Sequence, residues 1–181
     1  MIETAAVVMR ERGVEATSFS EVIARSGAPR GSIYHHFPGG KAQLIEEATR
    51  YAGEFTASGL ADALWQEDPV AAVRALGARW LKLLRKSDFG AGCPVVAASL
   101  EGAQTPGARE AAGDAFRRWE ELLASALEPH GLEPARARSL ATLIISSIEG
   151  AVVLARATRS LEPLEQVAGE LEALLAATLR R

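Results

Sequence analysis

The sequence predicts an all-α protein of about nine helices, a small N-terminal three-helix unit followed by a larger helical body. Two observations carry this: apolar residues recur at helical spacing from one end to the other, and no stretch has the strict alternation of a half-buried strand. A third is punctuation, with Ser, Thr, Asp or Pro opening many of the apolar-periodic segments and glycine closing the early ones. The 181 residues suit one large domain or two small ones, and 48% apolar with 24% charged residues is an ordinary globular balance with ample core. Internal repeats and low-complexity linkers are absent.

The first helix is expected over residues 1–12, with Ile2, Ala5, Ala6 and Met9 on one face, Gly13 as its stop and Val14 as a plug for the small core. Met1 opens directly on this helix with no signal peptide ahead of it, which leads to the expectation of a cytoplasmic protein. Ser18 and Glu21 form an S-x-x-E capping box: the Ser18 hydroxyl takes the amide at the third helical position, and the Glu21 carboxylate returns to the Ser18 amide. A helix then starts at Phe19, buries Phe19, Val22 and Ile23, and stops at Gly27, which lacks the Cβ that opposes a left-handed cap.

After a turn at 27–28, Pro29 fits the first position of a second helix that continues over 30–37. Ile33 and Phe37, four apart, pack inward against Val22, and Gly31 lets the two helices approach closely. The outer face carries Arg30, Ser32, Tyr34 and His35. Arginine bonds guanine bidentately, Ser and His reach base edges or phosphates, and a Tyr hydroxyl suits a phosphate oxygen. Tyr34 has a second reading, as a ring that caps the small core. His35 and His36 point about 100° apart, a poor metal pair, so no metal is expected and His36 is read as packed against its own unit. Pro38, Gly39 and Gly40 break the helix; Lys41 opens the next, its ammonium and the free amides of the helix start both able to face a phosphate.

These residues make a helix-turn-helix, and the run G-x-x-R-G-S-I-Y-H-H-F-P-G-G-K from Gly27 to Lys41 resembles the recognition region of TetR-family transcriptional regulators. Ala28-Pro29-Arg30-Gly31-Ser32, with Gly92-Cys93-Pro94 further on, is similar to the LmrA/YxaF-like subgroup of drug- or flavonoid-responsive repressors. The helix-turn-helix stretch from Thr17 to Lys41 spans about a seventh of the 181 residues. The resemblance implies DNA contacts from Ser18, Pro29, Arg30, Ser32, Tyr34, His35 and Lys41, a twofold dimer and a small-molecule effector. It also implies a basic arm ahead of the first helix, and the sequence given starts almost inside that helix.

A long helix over 41–66 carries Leu44, Ile45, Ala48, Tyr51, Ala52 and Phe55 as one stripe, weakened by Gly53 and Gly59. Asp68 and Pro69 start a helix over 70–86 with Val73, Leu76, Trp80, Leu83 and Leu84 on one face. A loop over 87–92 leads to a short helix over 93–102. Thr105 and Pro106 open another to about 127, with Ala112, Phe116, Trp119, Leu122, Leu123 and Leu127 inward; Pro129, His130 and Gly131 end it. Pro134 begins a long helix to 158, and Pro163 the last, with Leu164, Val167, Leu171, Leu174, Leu175 and Thr178 on one side. The expected division is a DNA-binding domain over 1–45 and an effector-binding and dimerisation domain over 46–181.

The formal charge is -3, and the first 50 residues hold six Lys or Arg against six Asp or Glu, so DNA binding must come from local placement and a doubled site. The single cysteine, Cys93, forms no internal disulfide and fits a reducing compartment. The apolar run 140–155 is interrupted by Thr142, Ser146, Ser147, Glu149 and Gly150 and falls short of the ~20 apolar residues of a membrane span, so no membrane is expected.

The helix over 134–158 is too apolar for one buried stripe. With the last helix it is expected to build a four-helix dimer interface from Ile144, Ser147, Ile148, Ala151, Ala155, Leu164, Val167, Leu171 and Leu174. Two recognition helices ~34 to 36 Å apart would then read successive major grooves of a near-palindromic operator. Trp65, Trp80, Phe89, Cys93, Val96, Leu100 and Trp119 are candidate walls of an effector pocket, with Thr142, Ser146, Glu149 and Arg156 as polar anchors; aromatics at helical spacing are equally plain core. Glu149 amid apolar neighbours needs a partner or an altered pKa. No Ser/His/Asp or Cys/His set, metal-ligand cluster or glycine-rich phosphate loop is legible, so catalysis and cofactors are not expected. The expected function is a dimeric repressor released from double-stranded operator DNA by a small hydrophobic effector. An all-α ligand-binding module or enzyme with a vestigial DNA-binding unit stays open beside it.

Overall fold

A computed structural model describes residues 1–66, 68–101 and 105–179, apart from the side chain of Gln66. Among them are nine α-helices and no strand: α1 Ile2–Arg12, α2 Phe19–Ser26, α3 Arg30–His36, α4 Gly40–Gln66, α5 Pro69–Lys86, α6 Pro94–Ser99, α7 Pro106–Leu127, α8 Pro134–Thr158 and α9 Glu162–Leu179, with a 3-10 turn Glu128–His130 after α7. Helix boundaries follow local chemistry. Ser18 and Asp68 accept the Glu21 and Ala71 amides at 3.2 and 2.9 Å, and Gly13, Gly27 and Gly131 close their elements at φ of 80°, 68° and 85°. Helix α6 ends at Ser99, earlier than the expected 102, and position 102 lies outside the described residues.

The described chain divides into two compact units. The first comprises Met1–Phe55 and Gly92–Ala115, the second Thr56–Ala91 and Phe116–Arg181 as far as described, so α4 and α7 contribute residues to both. In the first unit Val8, Met9, Val14, Val22, Ile33, Phe37, Leu44 and Ile45 are buried together with the polar Thr17, whose hydroxyl donates to the Gly13 carbonyl at 2.9 Å. Tyr51 and Phe55 stack on each other and are exposed, so the α4 stripe expected to run through them passes instead through Ala48 and Ala52 to the buried Leu60. Gly53 lies against α7: a Cβ there would stand 2.7 Å from the Ala115 Cβ. Glycine relieves crowding at that crossing.

In the second unit α8 packs against α5 and α9. The helix has 25 residues and is long and apolar enough, by length and composition, to cross a membrane, which the interrupted run did not suggest. Nine of its residues, Leu140, Ile144 and Ile148 among them, are nevertheless buried within the chain, and its apolarity is used in packing.

After α5 the backbone makes an unusual turn. Asp88 and Phe89 both have positive φ, 48° and 60°, a left-handed pair without glycine. Two arginines from the end of α8 hold it: Arg156 donates to the Phe89 and Gly90 carbonyls at 3.4 and 3.1 Å, and Arg159 reaches the Asp88 carboxylate at 2.7 Å while its guanidinium lies over the Phe89 ring.

Candidate nucleic-acid interface and ligand cavity

The helix-turn-helix forms much as its residues predict, with four changes. Half of the capping box is present: Ser18 caps the helix, but the Glu21 carboxylate turns away to Arg25 at 2.7 Å and Arg12 at 3.1 Å. Arg25 also bonds Glu11 at 2.6 Å, so α1 and α2 are tied by an ionic chain, and Glu11 first, then Glu21, raise the Arg25 pKa. Pro29 is the residue before α3 rather than its first, with ψ of 136°, extended rather than helical. Gly31 is exposed and a Cβ there would meet nothing, so it makes no close helix approach. His36 is exposed, not packed inward.

Ile33 and Phe37 are buried, as is Val22, and this turns the other side of α3 outward. Arg30, Tyr34 and His35 are exposed and Ser32 is half-buried. The two readings of Tyr34 merge, since its ring meets Phe19 edge-on at 5.4 Å while the residue stays 68% exposed. The face presents one guanidinium, one phenol and one imidazole from a helix of seven residues. Lys41 is already committed in part: its ammonium donates to the Glu15 carbonyl at 2.7 Å, and the Gly39 amide beside it is taken by Gln43 at 2.8 Å. Both bonds draw on groups expected to face a phosphate.

The second unit holds a small cavity. Its floor is buried (Leu60 of α4, Trp119 of α7, Ile145 and Ile148 of α8), and half-buried Thr56, Leu76, Trp80 and Glu149 complete its wall. Of about 20 Å³, it has room for about one water molecule. Of the residues expected at a ligand site, Trp80, Trp119 and Glu149 line this cavity. Trp65, at 91% exposure, and Leu100 are in solvent; Phe89 belongs to the arginine-held turn; Cys93 and Val96 lie in the first unit. Thr142 and Ser146 are exposed, the Ser146 hydroxyl bonded to the Thr142 carbonyl, and Arg156 serves the turn. Thr56, Leu60, Leu76, Ile145 and Ile148 were missed as lining, Ile148 having been expected at the dimer interface. Thr56 and Leu60, one turn apart, continue the α4 stripe through Ala52, the signal that would have found them.

Among the residues expected at a dimer interface, Ile144, Ile148, Ala151, Ala155, Leu164 and Leu171 are buried in the core of the single chain, and Ser147, Val167 and Leu174 are half-buried. The reason is that α5 occupies the space beside α8 and α9. What α8 leaves in solvent is a different row, Leu143, Val153 and Leu154 at 42%, 53% and 54% exposure, with exposed Gly150 between them. On α9, Gly169 and Ala173 are exposed.

A family model of bacterial regulatory proteins, tetR family, matches residues 1–48, and one described as the C-terminal domain of LmrA/YxaF-like transcriptional regulators matches residues 69–170. An uncharacterized HTH-type transcriptional regulator of Mycobacterium tuberculosis, MT0206, is 43% identical over 99% of this chain and 94% of its own length. The HTH-type transcriptional regulator LmrA of Bacillus subtilis is 28% identical over 97% and 94%. A solved TetR transcriptional regulator from Legionella pneumophila shares the fold, with a TM-score of 0.84 at 24% identity over 96% of this chain and 94% of that one. These relatives are named as regulators, not enzymes. With its capped helix pair, its outward Arg30, Tyr34 and His35 and its helical second unit, the chain belongs to the TetR family of transcriptional regulators, in the LmrA/YxaF-like subgroup.

Proposed function

We propose that the protein is a dimeric cytoplasmic repressor that binds a near-palindromic operator and leaves it when a small hydrophobic effector enters the second unit. The observation that carries this is the exposed row Arg30, Tyr34 and His35, fixed in direction by the buried Ile33 and Phe37 behind it. Arg30 reads a base edge; Tyr34, His35 and Ser32 bond phosphates or edges beside it; Ser18, Pro29 and Lys41 set the approach of the backbone. Residues 1–45 act as the DNA-reading domain and 46–181 as the effector-binding and dimerising domain. Helix α4, Gly40–Gln66, contributes residues to both units, and its Thr56 and Leu60 line the cavity. The effector acts through its preference for the recognition-helix spacing that does not fit DNA.

The dimer forms through α8 and α9, by their outer rows. Leu143, Gly150 and Leu154 recur at i, i+7 and i+11, a stripe that a second copy of α8 can cover, and Gly169 and Ala173 of α9 offer the shallow surface beside it.

The experiment is selection from randomised duplex DNA at two salt concentrations, with the mass in solution measured alongside. An enriched palindrome bound by a dimer is the expected result; no enrichment overturns the reading. With the operator in hand, Arg30→Ala should relax preference at one base pair at a cost of about 1–3 kcal/mol, whereas Tyr34→Phe should weaken binding about equally across sequences.

A further inference from the structure

The cations of the first unit are unevenly held. Of the six Lys or Arg among the first 50 residues, Arg50 donates to Glu46 at 3.0 Å and lies 3.6 Å from Asp114, and the Lys41 ammonium lies on the Glu15 carbonyl at 2.7 Å. Arg25 is gripped by two carboxylates, its Nη1 donating to Glu11 Oε2 at 2.6 Å and its Nε to Glu21 Oε1 at 2.7 Å. Arg12 has a weaker hold. Its Nη1 donates to the same Glu21 Oε1 that Arg25 uses, at the longer distance of 3.1 Å, and its side chain is 55% exposed against 30% for Arg25. The pair of Arg12 and Glu21 is therefore the loose link of the ionic chain, and exposed pairs of this kind contribute little to stability.

The place of that link decides what else it can meet. Glu21 lies one turn along α2 from the cap Ser18, whose hydroxyl accepts the Glu21 amide at 3.2 Å. Arg12 ends α1 three residues before Glu15, whose carbonyl holds Lys41. Chain and hydrogen bonds thus tie this guanidinium to the surroundings of both Ser18 and Lys41, the residues proposed above to set the approach of the DNA backbone. A phosphate offers a full charge and oxygens that a planar guanidinium can bond in a fork, whereas the shared Glu21 oxygen offers one bond. Letting go of Arg12 strands nothing. The Glu21 carboxylate keeps Arg25, and the start of α2 is capped by the Ser18 hydroxyl, not by the Glu21 side chain.

We propose that Arg12 is a further phosphate-contacting residue of the DNA interface and that Glu21 is its intramolecular competitor. On DNA the Arg12 guanidinium exchanges Glu21 Oε1 for a phosphate oxygen, while Arg25 stays on Glu11 and Glu21. The inference rests on the DNA-reading role given above to the first unit and adds to it a contact from α1 that carries no sequence preference. Because such a contact is electrostatic and independent of sequence, it is measurable without the operator.

The test is a titration of the full chain with a mixed-sequence DNA duplex, repeated from about 50 to about 200 mM salt, with the melting temperature of each variant measured alongside. Arg12→Gln should weaken binding about tenfold at the low-salt end and reduce the salt slope by about 1 per protomer. Arg12→Lys keeps the charge and should stay within about threefold of the wild type, which keeps the test decisive if Arg12→Gln lowers the melting temperature. Glu21→Gln should act with the opposite sign, strengthening binding about fivefold, because the guanidinium then has no carboxylate to leave. In an Arg12→Gln background the same change should alter affinity less than about twofold. A tie between α1 and α2 with no part in DNA binding would make Arg12→Gln and Glu21→Gln weaken binding together. Mere removal of a negative charge would leave the gain from Glu21→Gln intact without Arg12. Either result overturns the proposal, as does unchanged affinity in Arg12→Gln. Operator selection is scored separately: duplex binding that responds to Arg12 and Glu21 as expected, in a chain that enriches no operator, would overturn the repressor reading and leave this contact standing. An enriched operator whose affinity is indifferent to Arg12 would do the reverse, and a wild-type chain that binds no duplex overturns both.

Discussion

Ser18 has two candidate roles that single substitutions can separate. Its hydroxyl accepts the Glu21 amide at 3.2 Å, and the same residue stands at the edge of the proposed DNA face. Ser18→Ala should cost about 1 kcal/mol, the usual worth of such a cap. Ser18→Asp keeps an oxygen acceptor and adds a negative charge at a helix start, where the dipole favours it, so the melting temperature should hold while operator affinity falls at least tenfold. Denaturant melts and operator titrations of the two variants check this, and equal operator affinity for Ser18→Asp and the wild type would remove Ser18 from the interface. Lys41 is less separable. Its ammonium lies on the Glu15 carbonyl, so in Lys41→Ala any loss of DNA affinity mixes a lost phosphate contact with a loosened loop between α1 and α2.

At the scale of elements, α4 and the turn after α5 each rest on a local arrangement that the rest of the fold must maintain. Gly53→Ala would put a methyl 2.7 Å from that of Ala115. Overpacking costs about 1–3 kcal/mol and the better helix propensity of alanine returns about 1 kcal/mol, so a net loss of up to about 2 kcal/mol should appear in a denaturant melt. A stabilised variant would mean that α4 and α7 slide apart easily. For the turn, the left-handed Asp88 and Phe89 oppose the usual backbone preference, and Arg156 supplies donors to the Phe89 and Gly90 carbonyls. Arg156→Ala should destabilise by about 1–3 kcal/mol, and Phe89→Gly in the same background should recover part of it, because glycine accepts that conformation without penalty. Thermal melts of the single and double variants give the comparison; no recovery would show that the strain is not at Phe89.

For the whole molecule the decisive question is what covers Leu143, Val153 and Leu154. A net charge of -3 and a charge-balanced first 50 residues leave little long-range attraction for DNA, so in the proposed dimer affinity would come from two recognition helices held at one spacing. Leu154→Glu places a charge in the proposed seam without entering the chain's own core, where Leu154 is already exposed. It should convert a dimer to a folded monomer in sedimentation and lower operator affinity by at least a hundredfold; an unchanged mass would move the interface elsewhere. Gly150→Ala is the finer probe. A methyl there meets nothing within the chain, so in a monomer it should stabilise by about 1 kcal/mol, and in a dimer seam it should instead weaken association.

Read alone, the sequence determined the helices and the outward face of α3. Capping serines and aspartates, left-handed glycines and a 3.6-residue period are written within a few positions of the elements they create, so Ser18, Gly27, Pro69 and Pro134 mark helix ends close to where they fall. The outward direction of Arg30 and Tyr34 followed from the inward Ile33 and Phe37 on the same short helix. What the tertiary structure alone decided is which of several apolar stripes meets which neighbour. Helix α8 carries more apolar surface than one contact can use, and its period gives the stripes without their partners. The presence of α5 and α9 consumed the row Ile144, Ile148, Ala151 and Ala155 and left the row of Leu143 and Leu154 outside. The cavity was legible in Trp80, Trp119 and Glu149 and illegible in Trp65, because residues of four helices, from Thr56 to Glu149, converge on it, and convergence is a property of packing rather than of any one segment.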